Sequence, residues 1–262
     1  MSVPTPVIML PKLAFLGTPE GAALLRRVMD DGRDDLSLAS SPWMRALPPW
    51  QKTALLEQRG LRARGLRKQS RAAEMLFTPL GLQQMTAETL GRYKASRLPP
   101  GVTRLADLCC GPGGDSLHLA PSVAVLGVDR DAETLRAWRH NVSLHRPGAP
   151  SLAVRADVTA FEARVDGIFL DPARRALAER GGTRDFDEEP EPGWNALAAL
   201  VRRFGNAVLK LGPGARLPEE LAEGECEYLG LRDECLELTV RTGDFGRPGW
   251  VRAVELPAGA GV

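Results

Sequence analysis

One stretch constrains this chain more than any other: the apolar run TRLADLCC at 103–110, which passes directly into the glycine-rich turn GPGGDS. A short apolar run closed by glycines reads as a strand ending in a tight turn. Glycines there let backbone approach a ligand where side chains would clash. The exposed N–H groups of the next helix, which starts at 114–119, add a polar lining. The pattern then repeats, with VAVLGVD (123–129), SLAVRAD (151–157), VDGIFLD (165–171) and NAVLKLG (206–212) as further strands. After the run at 123–129, Asp131 caps a helix in which Leu135, Trp138 and Val142 recur at helical spacing. CEYLGLR and CLELTVRTG, joined by Asp233-Glu234, read as an antiparallel hairpin. Short apolar strands alternating with helices predict an α/β fold whose parallel sheet is covered on both faces.

The first hundred residues are different. A short helical pattern near 22–29 ends in DDGRDD, and 50–97 reads as helical, with segments at 51–58 and 62–76. Thr78-Pro79 opens a third segment, Thr as N-cap and Pro at the first helical position. Pro99-Pro100-Gly101 breaks the chain, which predicts a helical domain over 1–100 and an α/β domain over 101–262. The formal charge of +1 conceals a division: residues 1–100 carry +7 and the remainder −6, with 11 basic and 3 acidic residues in 36–100. Such asymmetry has two readings, a nucleic-acid contact or a solvated helical face. On a helix over 62–76, Arg64, Arg67, Lys68 and Arg71 fall within an arc of about 100°, and Leu66, Ala73, Leu76 and Phe77 form a separate packing sector.

Four carboxylates fall at predicted strand ends. Asp107 lies four residues before Gly111, and Asp129 follows Gly111 by 18 residues. Asp157-Val158 follows the third strand and Asp171-Pro172 the fourth. In open α/β sheets the ligand sits outside the carboxyl ends of the strands. Asp129 is placed to accept both ribose hydroxyls of an adenosine ligand, and Asp157 with the Val158 N–H to read an adenine edge. The nicotinamide and flavin fingerprint G-x-G-x-x-G/A is not met, because Ser116 holds its last position. An acid under the turn suits S-adenosylmethionine, which carries an ammonium and a sulfonium.

DLCCGPGG, VLGVD, ADV and FLDPARR resemble the successive motifs of the Rossmann-like (class I) S-adenosylmethionine-dependent methyltransferases, and 225–241 resembles that family's reversed last strands. RKQSRAAEMLFTPLGLQQMT, DPARR and GGTRDFDEEPEP further resemble the bacterial THUMP-like methyltransferase group, which is similar in turn to trimethylguanosine synthases. The resemblance implies a seven-stranded sheet with a reversed terminal hairpin, preceded by a small helical domain. Members of that group usually continue into a further small domain beyond the hairpin, which in this sequence is either absent or cut away. The resemblance also implies site roles. Phe77, Thr78 and Gln84 would close over the cofactor, Asp107, Gly111 and Gly113 would line its methionine part, Asp129 would hold the ribose, and Asp157 with Val158 the adenine. Asp171 and Pro172 would face the acceptor. Enzymes acting on planar nitrogens show D/N-P-P-aromatic at this place, and here Ala173 and Arg174 depart from it. Arg174 and Arg175 can bind a phosphate bidentately or pair with the acidic run 185–191.

Transfer from a sulfonium needs orientation more than acid–base help, so no triad is expected. His118, His140 and His145 read as ordinary surface or core residues, and no metal site is expected. Cys109 and Cys110 sit in strand core and Cys226 and Cys235 are isolated, the pattern of a reduced, cytoplasmic protein. No apolar run approaches the ~18 residues of a membrane span, and the prolines of MSVPTPVIMLPK argue against a secretory signal. The reading is a methyltransferase acting on RNA. A protein or small-molecule substrate, or a catalytically silent binding module of the same fold, are the competitors.

Overall fold

The computed structural model of the protein describes residues 11–174 and 190–257. The first part is helical: α1 (Lys12–Leu16), α2 (Pro19–Asp30), α3 (Asp35–Ala39), α4 (Pro42–Arg45), α5 (Pro49–Gly65), α6 (Pro79–Gln84) and α7 (Glu88–Ser96). Thr18 and Thr78 cap α2 and α6, each accepting the N–H of a glycine three residues on, with Pro at the next position. Leu13, Phe15, Leu25, Val28, Leu38, Met44 and Leu55 form the core of this part.

The helix predicted over 62–76 is absent. One helix, α5, absorbs 51–58 and runs on to Gly65. Residues 66–76 then fold back as successive turns. A Cβ on Gly65 would lie 2.9 Å from Ala72 Cβ and 3.1 Å from Phe77 Cε2, so only glycine leaves room for the returning chain. Buried Arg62 fastens it, donating from Nε to the Met75 carbonyl at 2.8 Å and from its terminal nitrogen to the Glu74 carbonyl at 3.0 Å. Leu66, expected to pack, is 55% exposed.

The second part is a sheet built from β1 (Arg104–Leu108), β2 (Ala124–Asp129), β3 (Ser151–Arg155), β4 (Gly167–Leu170), β7 (Ala207–Leu211), β8 (Glu225–Leu231), β9 (Glu234–Thr242) and β10 (Val251–Leu256). Two two-residue strands, β5 (Ala173–Arg174) and β6 (Pro190–Glu191), pair separately. The order is β10-β8-β9-β7-β4-β1-β2-β3, with β9 antiparallel to both neighbours. The sheet therefore has eight strands rather than the expected seven, because β10 adds a parallel edge beside β8. The hairpin turns on Arg232 and Asp233, one residue earlier than expected; both adopt positive φ, 57° and 61°, the form of a two-residue hairpin loop.

Helices α8 (Ala132–His145), α9 (Trp194–Phe204) and α10 (Glu219–Ala222) complete the fold. Asp131 caps α8 as expected, accepting the Thr134 N–H at 2.7 Å. The helix expected from 114 shrinks to a single tight turn, Ser116–His118, with Pro121 close behind it. The buried core crosses residue 100: Leu61, Ala72, Met75, Phe77, Leu82 and Met85 share one cluster with Leu105, Val125, Trp138, Val142 and Phe169. Ala106, Leu108, Val128, Ile168 and Leu209, the alternate strand positions, face α9 on the other side.

Candidate active site

Sequence-adjacent β1 and β2 lie side by side, whereas β4 sits on the other flank of β1. The chain order thus reverses at β1, and the crevice outside the carboxyl ends of β1 and β4 is the place an α/β sheet offers to a ligand. Asp107, Asp129 and Asp171 gather there around Cys109, and Asp157 lies farther out, after β3. Asp107 is 3% exposed and accepts the Ser116 hydroxyl, whose oxygen in turn accepts the Trp138 Nε1–H at 3.0 Å. Burial pushes the Asp107 carboxyl up to about 8, with the Asp115 charge adding and Ser116 opposing. Asp129, at the end of β2, accepts the Asp131 N–H at 2.9 Å and the backbone N–H groups of Gly111 and Arg130. Its carboxyl is raised by burial against those bonds. Exposed Asp157 accepts the Thr159 hydroxyl at 2.7 Å and N–H at 2.9 Å, which hold its carboxyl below the ordinary value. Val158 beside it is buried.

Asp171 faces a residue that the motif reading passed over. Leu170 on β4 pairs with Leu209 on β7, so Asp171 and Lys210 follow one step on. Lys210 Nζ lies 2.6 Å from Asp171 Oδ2 and donates to the Gln84 carbonyl at 3.2 Å. Burial raises the Asp171 carboxyl while Lys210 pulls it down. The signal was legible: a single cation near the carboxyl end of the otherwise apolar strand AVLKL.

The glycine-rich turn is shaped for close approach. Cys109, Gly111 and Gly113 adopt φ of 58°, 53° and 99°. A Cβ on Gly111 would meet nothing within 4 Å, so the backbone there borders open space. Asn141 on α8, fully buried, donates from Nδ2 to the Pro112 and Leu76 carbonyls at 3.0 and 2.9 Å and accepts the Leu76 N–H at 2.8 Å. On the other flank, Lys94 of α7 lies 2.7 Å from Asp115. Neither residue carries a sequence signal, since each depends on contacts made across the chain.

The helical-side residues separate. Gln84 reaches the site through its carbonyl. Phe77 is buried in the core and, with Thr78, lines a cavity of about 300 Å³ bounded by Leu13, Gln58, Leu61 and Glu133. The expected cationic arc does not form, because its helix does not. Arg64 and Arg67 are exposed. Lys68 Nζ is taken up by the Leu82, Gln83 and Met85 carbonyls at 3.0, 2.7 and 2.9 Å. Its ammonium is lowered to about 8 by burial and by the nearby Lys210 charge. Arg71 binds Glu74 at 2.9 Å and the Leu144 carbonyl at 2.7 Å. The Arg174 side chain, Arg175 and residues 185–189 of the acidic run lie outside the described residues; Glu191 pairs with Arg130 at 2.6 Å. Among the described residues no group of three His, Cys, Asp or Glu is placed to hold a metal, and no helix is long and apolar enough to cross a membrane.

No protein-family model matches the chain. Proteins from two strains of Mycobacterium tuberculosis, each described as an uncharacterized S-adenosylmethionine-dependent methyltransferase, are 33% identical to it over 202 residues. The match covers 72% of this chain and 53% of each relative, so the chain spans about half the length of those curated relatives. A candidate methyltransferase structure from Porphyromonas gingivalis W83 superposes with a TM-score of 0.67 at 22% identity, over 86% of this chain and 58% of that one. This chain belongs to the S-adenosylmethionine-dependent methyltransferases and has the class I fold. The structure of a candidate class I S-adenosylmethionine-dependent methyltransferase from Listeria monocytogenes superposes at a TM-score of 0.50 and 13% identity, covering 94% of this chain and 89% of that one. The strands β3-β2-β1-β4-β7-β9-β8 supply this fold, with β10 as an addition.

Proposed function

We propose that this chain is an S-adenosylmethionine-dependent methyltransferase acting on RNA. The observation that carries the enzymatic reading is the row of carboxylates along the carboxyl ends of β1 to β4, Asp107, Asp129, Asp157 and Asp171, beside an open glycine turn. The residues suit the cofactor. Asp107 is a buried carboxyl with no ion pair among the described residues, and Gly111 leaves room for backbone N–H contacts. Gly113 shapes the same turn, Asp129 takes the ribose hydroxyls, and Asp157 with the Val158 N–H takes the adenine. Gln84 flanks from the helical side, Thr78 caps the helix that carries it, and Phe77 anchors their segment in the core. The description of the two mycobacterial relatives supports the same reading.

When bound, the cofactor supplies a methyl activated on a sulfonium, with a neutral thioether as leaving group. The chain supplies position. Asp171 Oδ1 and the Pro172 carbonyl accept hydrogen bonds from an acceptor group and aim its lone pair. Lys210 favours the ionised form of Asp171 against the burial that raises its carboxyl. RNA as substrate rests on the exposed Arg64 and Arg67 in a strongly basic segment and on the likeness to the THUMP-like group. Free cysteines throughout the described residues fit a reducing compartment, the cytoplasm.

Calorimetry with S-adenosylmethionine and with NAD tests the cofactor. Asp129→Ala should lose charge-assisted bonds worth roughly 1.5–3 kcal/mol each, an affinity loss of about tenfold or more. NAD binding without methyl-donor binding rejects the reading. Mass spectrometry of RNA from a strain lacking the gene tests the substrate: one missing modified nucleoside is expected, and an unchanged profile redirects the search to proteins and small molecules. Arg64→Glu with Arg67→Glu should weaken RNA binding and reduce the log–log salt slope by about 0.7–0.9 for each phosphate that is no longer neutralised.

A further inference from the structure

Helix α7 sits on the glycine-rich turn through two residues one helical turn apart. At Gly91 a Cβ would meet the Gly114 carbonyl oxygen at 2.8 Å and His118 Cδ2 at 2.4 Å, so the helix backbone rests against the turn. Lys94, three residues on, is fully buried, its Nζ 2.7 Å from Asp115 Oδ1 and 2.9 Å from Glu237 Oε1 on β9. The Thr86 hydroxyl donates to the other Asp115 oxygen at 3.1 Å, and the Thr239 hydroxyl to Glu237 at 3.1 Å. Burying such a cluster costs desolvation and is weak evidence for stability, so its place beside the turn calls for another account.

The charges around Asp107 provide one. Its neighbours are Ser116 and Asp115 on the turn, Cys109 and Cys110 on its own segment with Asp129 beside them, Lys94 on α7 with Glu237 behind it, and Asp171 after β4 with Lys210 on β7. The two ammonium groups are committed: Lys94 to Asp115 and Glu237, Lys210 to Asp171. Asp107 has the Ser116 hydroxyl and, among the described residues, no ion pair of its own, with Lys94 acting on it only from beyond Asp115. We propose that Lys94 is a positioning residue for the cofactor's amino-acid end: it fixes the turn through Asp115 and neutralises that carboxylate, leaving Asp107 as the one a ligand ammonium completes. This rests on the methyltransferase reading above.

A consequence separates this role from a purely structural one. The Asp107 carboxyl is raised to about 8, so it holds a proton at pH 7 until a ligand ammonium displaces it. Binding should therefore release a proton, and the number released should depend on the Lys94 cluster. The probe is S-adenosylhomocysteine, which carries the ammonium without the sulfonium. Calorimetry at pH 7 in two buffers of different ionisation enthalpy counts the protons. The parent should release close to one and Asp107→Asn none. Asp115→Asn removes the like charge beside Asp107, lowers its proton affinity and should cut the release to less than half. Lys94→Met with Glu237→Gln leaves Asp115 without its cation and should move the pH midpoint of the release upward. If that pair does not fold, the parent and Asp115→Asn still decide. Tight binding with no proton exchange in the parent, or identical release in Asp115→Asn, overturns the proposal and leaves the methyltransferase reading standing. No binding of either S-adenosyl ligand removes both.

Discussion

Asn141 offers the sharpest test of how the turn is held. Its side chain is fully buried and makes three hydrogen bonds: to the Pro112 carbonyl in the glycine-rich turn, and to both the carbonyl and the N–H of Leu76. Asn141→Leu keeps the volume approximately and removes every polar atom. It strands one buried N–H and two buried carbonyls. Each stranded group costs about 1–3 kcal/mol. The three belong to one network and will not add in full, so the loss should be about 3–6 kcal/mol. That is a large fraction of the roughly 5–15 kcal/mol that holds a typical domain. The melting temperature should fall by roughly 10 °C or more, and the urea midpoint should drop with little change in slope. Asn141→Asp retains an acceptor for the Leu76 N–H but turns an oxygen toward two carbonyls, so it should be no better than leucine. Ser143→Ala, on the exposed side of the same helix, should stay within about 0.5 kcal/mol of the parent. A loss below about 1 kcal/mol in Asn141→Leu would mean that water or a shifted backbone satisfies those groups, and that Asn141 is not the clamp on the turn.

Packing and charge give two further outcomes. A Cβ on Gly127 would lie 2.3 Å from Trp138 Cε2, so Gly127→Ala should cost about 1–3 kcal/mol through overpacking, and Trp138→Leu in the same chain should recover part of it; urea titration of both variants measures this. Asp107 sets an alkaline limit on the cofactor-free protein. A carboxyl raised to about 8 from an ordinary value of 3.8 binds an extra proton in the folded state, so its contribution is complete below about pH 4 and is lost as pH rises through about 8. Melting temperature should decline between about pH 5 and 8 and level off above, and Asp107→Asn should flatten that decline; an unchanged slope in the variant would assign the decline to other groups.

The elements that local pattern specifies were readable in advance. Strand after strand carries a continuous apolar run, and the four acids mark strand ends because each run stops where the chain leaves the sheet. The caps Thr78 and Asp131 were legible because capping involves three residues in sequence. Misreadings arose where tertiary contacts overrule local pattern. Residues 66–76 have helical spacing, yet the chain folds back over Gly65 and spends Arg62 and Lys68 on backbone carbonyls. Cations counted toward an exposed face thus serve as internal fasteners. Lys94 and Asn141 were invisible for the complementary reason: their partners lie from 21 residues to more than 100 residues away in sequence. Strand β10 was missed because an edge strand, half exposed, carries only a weak alternation.

The short turn Ser116–His118 has a structural consequence for the helical segment. A nucleotide-binding turn is ordinarily steadied by the helix that follows it, whose N-terminus also points at the ligand. Here that helix is three residues long, too short to hold the turn alone. The support comes from the first hundred residues: α7 through Gly91 and Lys94, Thr86 through Asp115, and Leu76 through Asn141. The same segment buries Leu105, Val125, Trp138 and Phe169 on that face of the sheet. A chain reduced to residues 101–262 should therefore expose a broad apolar surface and leave Asp115 and Glu237 buried without their cation. It is expected to bind a hydrophobic dye, to lose cooperative melting and to bind no cofactor. A truncated chain that melts cooperatively and binds S-adenosylhomocysteine as tightly as the parent would show that the turn stands by itself, and that the helical segment serves the substrate alone.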